Sequence, residues 1–310
     1  MLTVRPYVPA DARAWDTVVE HSRNGNLLHR RGYMDYHADR FVDCSLMVER
    51  DGEAVAVFPA NIRGALVVSH GGLTYAGLVS THAMRAESTL AAFESMGEHY
   101  RALGVDRVIY KAVPHVFHAY PAEEDLYALH RLGARLYRRD LSSVIALQEP
   151  FHFTDGRRRA VKKAGKAGIT LQVNANPADF HVLLSEVLQK HSVVPVHNLP
   201  ELRLLQARFP GHIVLHEARL EGILLAGVLV YDFGKIVHTQ YLAASDEGQS
   251  LGALSLLLAE LVTNTYAKRL YFSFGISTEQ EGRALNAGLI TQKEYFGARA
   301  IVHDFYEWTL

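Results

Sequence analysis

The chain runs through the same order of secondary-structure signals twice, and this repeat restricts the fold more than any other feature. In the first half, LTVRPY alternates like a half-buried strand. DARAWDTVVEHS and RRGYMDYHADRF have helical spacing, and CSLMVER, EAVAVFPAN and ALVVSH read as strands, with a turn at Asp51-Gly52. Ala83 to Leu103 is spaced as a long amphipathic helix that Gly104 stops. RVIYKAV, AEEDLYALHRLG and ARLYRRDLSSVIAL then give strand, helix and strand. In the second half ITLQV is a strand, and Pro177 to His191 and Leu199 to Arg208 are helical. HIVLHEARL and ILLAGVLVYDFG form a hairpin around Glu221-Gly222, followed by the strand KIVHTQYLAAS. A long helix over Leu251 to Ala267, the strand RLYFSFG and the closing strand ARAIVHDFYEW complete the repeat. The halves share little residue identity, so what repeats is structural: two α/β domains of mixed sheet, 1–150 and 151–310, joined near Gln148 to Arg158.

A length of 310 residues suits two domains. With 49% hydrophobic and 21% charged residues, the composition is that of an ordinary globular protein. The net charge of −1 speaks against a DNA-binding role, which needs a positive excess. RRRAVKKAGKAG, from Arg157 to Gly168, is therefore a local patch. On a helix, Arg158, Lys162 and Lys166 form one stripe with Arg159 and Lys163 alongside, while Ala160, Val161, Ala164 and Ala167 give a small packing face. The stripe is either a solvated face or a holder of substrate phosphate or carboxylate through Arg158 and Lys162.

The single cysteine, Cys44 in FVDCSLMV, reads as a buried thiol. No apolar run approaches the ~18 residues of a membrane span. MLTVRPYVPADARAW lacks the apolar stretch of a signal peptide, so a cytoplasmic protein is expected. In HSVVPVHNLPE, His191 and His197 lack i, i+4 spacing and no cysteine is near, so no metal is expected.

The element order resembles the GNAT superfamily of N-acyltransferases, and two such domains in tandem resemble the FemABX peptidoglycan-bridge aminoacyltransferases. FSFGISTEQEGRALNAGLITQKEYFGARAIVHDFY is similar to a FemAB-related tail in which FG is followed by GL-x-x-x-K-x-x-FG before the last strand. RRRAVKKAGKAGITLQ is similar to the basic helix that opens the second domain in that family. NGNLLHRRGYMDYHADRF and SHGGLTYAGLV resemble a FemAB-related branch of GNAT N-acetyltransferases associated with cell-surface polysaccharide biosynthesis.

The resemblance implies a strand, KIVHTQYLAAS, that splays from its neighbour to receive a pantetheine. After it comes a loop, SDEGQSLGAL, that wraps the pyrophosphate of acetyl-CoA with Gly248, Gln249, Ser250, Leu251 and Gly252. Gln249 and Gly252 match the family's Gln/Arg-x-x-Gly-x-Gly/Ala signature. Leu254 departs from its last position, and Asp246 and Glu247 oppose an anion. HGGLTYAGLV reads as a turn and strand lining a substrate cleft, with His70 as the residue to watch or an ordinary core histidine.

Acyl transfer from a thioester to an amine needs a proton acceptor, donors for the oxyanion and an acid for the leaving group, but no covalent intermediate. In HTQY, strict alternation puts His238 and Gln240 on one face and Thr239 and Tyr241 on the other. His238 is the expected base, because an unperturbed imidazole titrates near ~6.5. Tyr241 or Tyr295 is the expected acid, and packing is the alternative for each. Lys293 matches the tail lysine and is expected to hold an anionic group, with Glu294 beside it. His197 is expected to face the substrate. Three functions follow. The first is an acetyl-CoA-dependent N-acetyltransferase acting on a small amine such as an amino sugar or its nucleotide-linked form. The second is a FemABX-like enzyme using aminoacyl-tRNA on a peptidoglycan precursor. The third is a degenerate, non-catalytic GNAT binding protein.

Overall fold

The computed structural model describes residues 1–174, 176–190 and 192–310. They divide into two compact units. Unit 1 is Met1–Leu141 with Gln280–Ala284 and Val302–Leu310, and unit 2 is Ser142–Glu279 with Leu285–Ile301.

Unit 1 begins with β1 (Leu2–Pro6), α1 (Ala12–Glu20) and α2 (Arg31–Met34). The second helix expected over RRGYMDYHADRF is thus a single α-turn. It runs into a 3-10 segment, Asp35–Arg40, that kinks at His37 (φ −129°). Strands β2 (Val42–Asp43), β3 (Leu46–Arg50), β4 (Glu53–Phe58), β5 (Asn61–Arg63), β6 (Leu66–Val68) and β7 (Val79–Ser80) follow. The strand expected over ALVVSH ends early, because His70 takes φ +50° and turns the chain away. After α3 (Ala86–Ala102) come β8 (Arg107–Lys111), α4 (Glu124–Arg131) and β9 (Arg135–Ala146). The antiparallel order β1-β3-β4-β7 makes one sheet. β8 pairs parallel with β6 on one side and antiparallel with Phe305–Thr309 on the other. The core between these strands and the helices holds Phe58, Phe93, Tyr100, Tyr110 and Trp308.

Unit 2 repeats the pattern with α5 (Asp155–Lys166), β10 (Thr170–Val173), α6 (Pro177–Gln189) and α7 (Leu199–Arg208). The helix expected to reach His191 ends at Gln189, and His191 itself lies outside the described residues. Strands β11 (Ile213–Leu220), β12 (Ile223–Asp232) and β13 (Ile236–Ala244) form an antiparallel meander with β10 at its edge. The expected long helix is broken: α8 (Asp246–Leu251) stops at Gly252 (φ +81°), and α9 (Ala253–Glu260) restarts and unwinds through a π-turn at Leu261–Thr265. β14 (Tyr271–Ile276) then pairs with β13 and with Ser142–Ala146 of β9. The short strands β15 (Thr278–Glu279) and β16 (Ala284–Leu285), α10 (Ala287–Glu294) and β17 (Arg299–Thr309) close the chain.

β11 and β12 are buried along nearly their whole length because helices cover both faces of the sheet. On one face Phe180 of α6 packs flat on Gly227, where a Cβ would lie 2.4 Å from its ring. On the other, Val228 and Val230 join Leu257, Leu258 and Leu261 in the core. A buried ion pair ties the start of α6 to the sheet. Glu217 on β11 accepts from Arg219 (2.8 Å) and from the main-chain N–H of Asn176, the α6 cap (3.2 Å).

Candidate functional site

Strands β13 and β14 begin parallel and then part. Their ladder runs only over Ile236–Tyr271, Val237–Phe272 and His238–Ser273. The Thr239 hydroxyl makes a last contact by donating to the Ser273 carbonyl (3.2 Å). Beyond it the β13 edge from Thr239 to Ala244 has no strand partner on that side among the described residues. Two local devices open the fork. On β14, Gly275 takes φ +73°, a left-handed turn that glycine adopts without strain. On β13, the register with β12 slips by one residue at Gln240, the extra residue of a β-bulge.

The bulge corrects the face assignment made from alternation. Tyr241 stands opposite Leu229 and His238 opposite Tyr231, two residues apart on β12, so His238 and Tyr241 share a face. This is the face covered by α6. Gln240 is the unmatched residue between them.

At the fork, the half-buried His238 brings Nδ1 to 3.1 Å from the Ser273 hydroxyl, which also accepts weakly from the Gly275 N–H (3.4 Å). A Cβ on Gly275 would sit 3.4 Å from the His238 ring, so the turn and the imidazole fit each other. Further along, the Tyr241 hydroxyl lies 2.7 Å from His197 Nδ1 and accepts from the His197 main-chain N–H (3.3 Å). The buried His197 sits in the connection between α6 and α7, and its carbonyl accepts from His181 Nε2 on α6 (3.2 Å). Burial raises the Tyr241 phenol above its ordinary pKa. Nothing in the sequence marks Ser273 or His181. Only the glycine of FSFG hinted at the turn.

Lys293 on α10 donates to the carbonyls of Gly275 (2.9 Å) and Ile276 (2.7 Å) and to the Ser277 hydroxyl (2.8 Å). Burial lowers its pKa to about 8. An ammonium has three donors, and all three are used on the turn after β14. The expectation that Lys293 holds an anion therefore gives way to a clamp on the fork. Glu294 is exposed in the last turn of α10.

The expected phosphate cradle is also corrected. Gly248 to Leu251 are helical, with the Gly248 N–H on the Ser245 hydroxyl (3.0 Å) and the Gln249 N–H on the Ser245 carbonyl (2.8 Å). A Cβ on Gly248 would lie 2.1 Å from the Leu225 carbonyl oxygen. On Gly252 it would lie 2.7 Å from that of Ala160. These glycines serve close packing, of α8 on β12 and of α9 on α5. Lys163 further covers the segment by donating to the Ser250 carbonyl (2.7 Å).

Residues 154–282 match the family model described as Acetyltransferase (GNAT) domain. Over the whole chain the structure is similar to FemX, with a TM-score of 0.70 at 14% identity, covering 99% of this chain and 97% of that one. The protein has a FemX-like tandem GNAT fold. It is also similar to L-PGS from Bacillus licheniformis, with a TM-score of 0.65 at 14% identity over 98% of this chain and 93% of that one. A tandem GNAT protein from the clavulanic acid biosynthesis pathway gives 0.52 at 12% identity, with 99% and 98% covered. No curated protein matches the sequence. At these identities the likenesses establish the fold, and the domain match supports an acyltransferase.

In this GNAT fold the remaining expected residues fall into other groups. Tyr295 caps α10 and lines a cavity of about 480 Å3 with Thr154, Asp155, Gly156 and Arg157. The Arg157 guanidinium lies over the Phe296 ring (4.9 Å) and the Tyr295 ring (5.9 Å), and burial lowers its pKa. Arg158 pairs with Asp155, and Lys162 is exposed. His70 belongs to unit 1 and is buried against Phe41 and His37, at ring distances of 5.2 and 5.3 Å. Burial drives its pKa down to about 3. Gly72 is required beside it, since a Cβ there would meet His37 Nε2 at 2.0 Å. The carbonyls of His70 and Leu73 both accept from the buried Lys111, which fixes this turn. Among the described residues no group of three or more His, Cys, Asp or Glu is placed to hold a metal, and no helix is long and apolar enough to cross a membrane.

Proposed function

We propose that the chain is an N-acyltransferase whose chemistry takes place at the fork between β13 and β14 in unit 2. The observation that carries this reading is the bulge at Gln240, which sets His238 and Tyr241 on one face beside an unpaired strand edge. Backbone N–H and C=O groups on such an edge require partners, and the amide groups of an extended donor arm supply them. His238 and Tyr241 are the proton-handling groups of that face.

Acetyl-CoA is the donor to test first, because the matched domain is of the GNAT acetyltransferase type. The acceptor we favour is a small primary amine such as an amino sugar or its nucleotide-linked form, in a cytoplasmic step of surface-polysaccharide synthesis. The purified protein with acetyl-CoA and a panel of such amines should release free thiol in proportion to N-acetylated product. No release with any amine, and no heat on titrating acetyl-CoA at millimolar concentration, would remove that donor.

A second reading uses an aminoacyl-tRNA as donor, and α5 favours it. The helix exposes Arg158, Arg159, Lys162 and Lys166 to solvent, and it covers the segment where a pyrophosphate was expected. Binding of charged tRNA that weakens steeply with salt supports this donor. Binding of neither donor leaves the non-catalytic reading.

A further inference from the structure

The contacts of Tyr241 limit where its proton can go. A main-chain N–H only donates, so the His197 N–H occupies one lone pair of the tyrosine oxygen (3.3 Å). At 2.7 Å, His197 Nδ1 is then either the acceptor of the tyrosine proton, in the neutral tautomer that carries its proton on Nε2, or a donor to that oxygen, in the other neutral tautomer and in the imidazolium. Both states keep the same hydrogen bond. His181 holds the carbonyl of the same residue, and Phe180, one position earlier on α6, packs on Gly227. The histidine is therefore held by α6 through its carbonyl and by β13 through its ring and N–H. The charged group whose field reaches this phenol is Glu201 on α7, and the Gln240 side chain and the Val196 main chain also hydrogen-bond to it.

We propose that Tyr241 and His197 act as a relay base: Tyr241 touches the acceptor amine and His197, acting through it, holds the proton. The proposal rests on the acyl-transfer reading and assigns the base to a pair other than His238. The amine nitrogen forms a bond to the acyl carbon, and the carbonyl π pair moves to oxygen. The nitrogen, now positive, gives a proton to the Tyr241 oxygen as the tyrosine's own proton passes to His197 Nδ1. The adduct then collapses, breaking the bond to the leaving sulfur or oxygen. That atom takes the proton back from the imidazolium through the same hydroxyl. Amine and activated acyl donor become amide and protonated leaving group, and the pair is reset.

His197→Asn separates holding a proton from merely positioning the phenol. Its side-chain oxygen replaces Nδ1 as an acceptor for the tyrosine hydroxyl but cannot store a proton. We expect kcat to fall about 100-fold with little change in KM for the amine, and Tyr241→Phe to fall as far. Nitrogen NMR of the intact wild-type protein near neutral pH should show His197 Nδ1 unprotonated, with that signal altered in Tyr241→Phe. Wild-type kcat in either variant, or a resting Nδ1 that carries a proton, overturns the relay. A wild-type protein that transfers no acyl group to any amine removes both the acyl-transfer reading and the relay's role. An active wild type with an unaffected His197→Asn removes the relay alone.

Discussion

Gly252 and Ala160 pack α9 against α5 so closely that a Cβ on the glycine would lie 2.7 Å from the alanine carbonyl oxygen. With φ +81°, Gly252 is also in a conformation that L residues adopt at a cost. Gly252→Ala should therefore destabilise the protein by about 1–3 kcal/mol, read as a lower thermal midpoint. An unchanged midpoint would mean that α5 does not sit on α9 in this way.

Glu217, fully buried, balances Arg219 and caps the approach to α6 through Asn176. Removing one partner of a buried pair leaves the other charge uncompensated, at a cost of about 3 kcal/mol or more. Glu217→Ala should show this as a lower denaturant midpoint with the slope retained. A loss below about 1 kcal/mol would put the pair among surface bridges.

His216 and His303 are buried, and burial lowers each pKa to about 4. In the unfolded chain each titrates near ~6.5, so the unfolded state binds more protons between those values. Stability is thus full above about pH 6.5 and falls as pH drops toward 4. The slope is about 1.4 kcal/mol per pH unit for each histidine. His303→Phe, placed between Tyr75 and Phe117, should flatten thermal midpoint against pH over this window. An identical slope in the variant would remove His303 from the effect.

His238 meets Ser273 and the Gly275 turn at the apex of the fork. His238→Ala should lower kcat by about tenfold or more while moving KM for the amine far less. Steady-state kinetics with an unchanged kcat would confine His238 to packing.

The repeat of elements, the place of the basic helix and its alanine packing face were all legible in the sequence. Periodicity and helix composition report local preference directly. The bulge was not, because a two-residue period carries no mark of the extra residue at Gln240. Its effect, moving Tyr241 to the face of His238, comes from pairing with Leu229 on another strand. The glycines of GQSLG read as a phosphate loop. A glycine needed to let backbone approach Leu225 or Ala160 looks the same in sequence as one needed to admit a ligand. Lys293 stands out in the tail motif, but its three acceptors lie 16 to 18 positions away on a turn that only the fold brings to it.

Unit 1 is finished by residues from the far end of the chain. Phe305–Thr309 supply the strand beside β8, and Trp308 fills its core against Gly97, where a Cβ would stand 3.0 Å from the indole. During synthesis the N-terminal half must therefore wait, with one sheet edge open and an unfilled hole over α3, until β17 has been made. Loss of Phe305–Thr309 would therefore injure the amino-terminal unit, although those residues are made after unit 2.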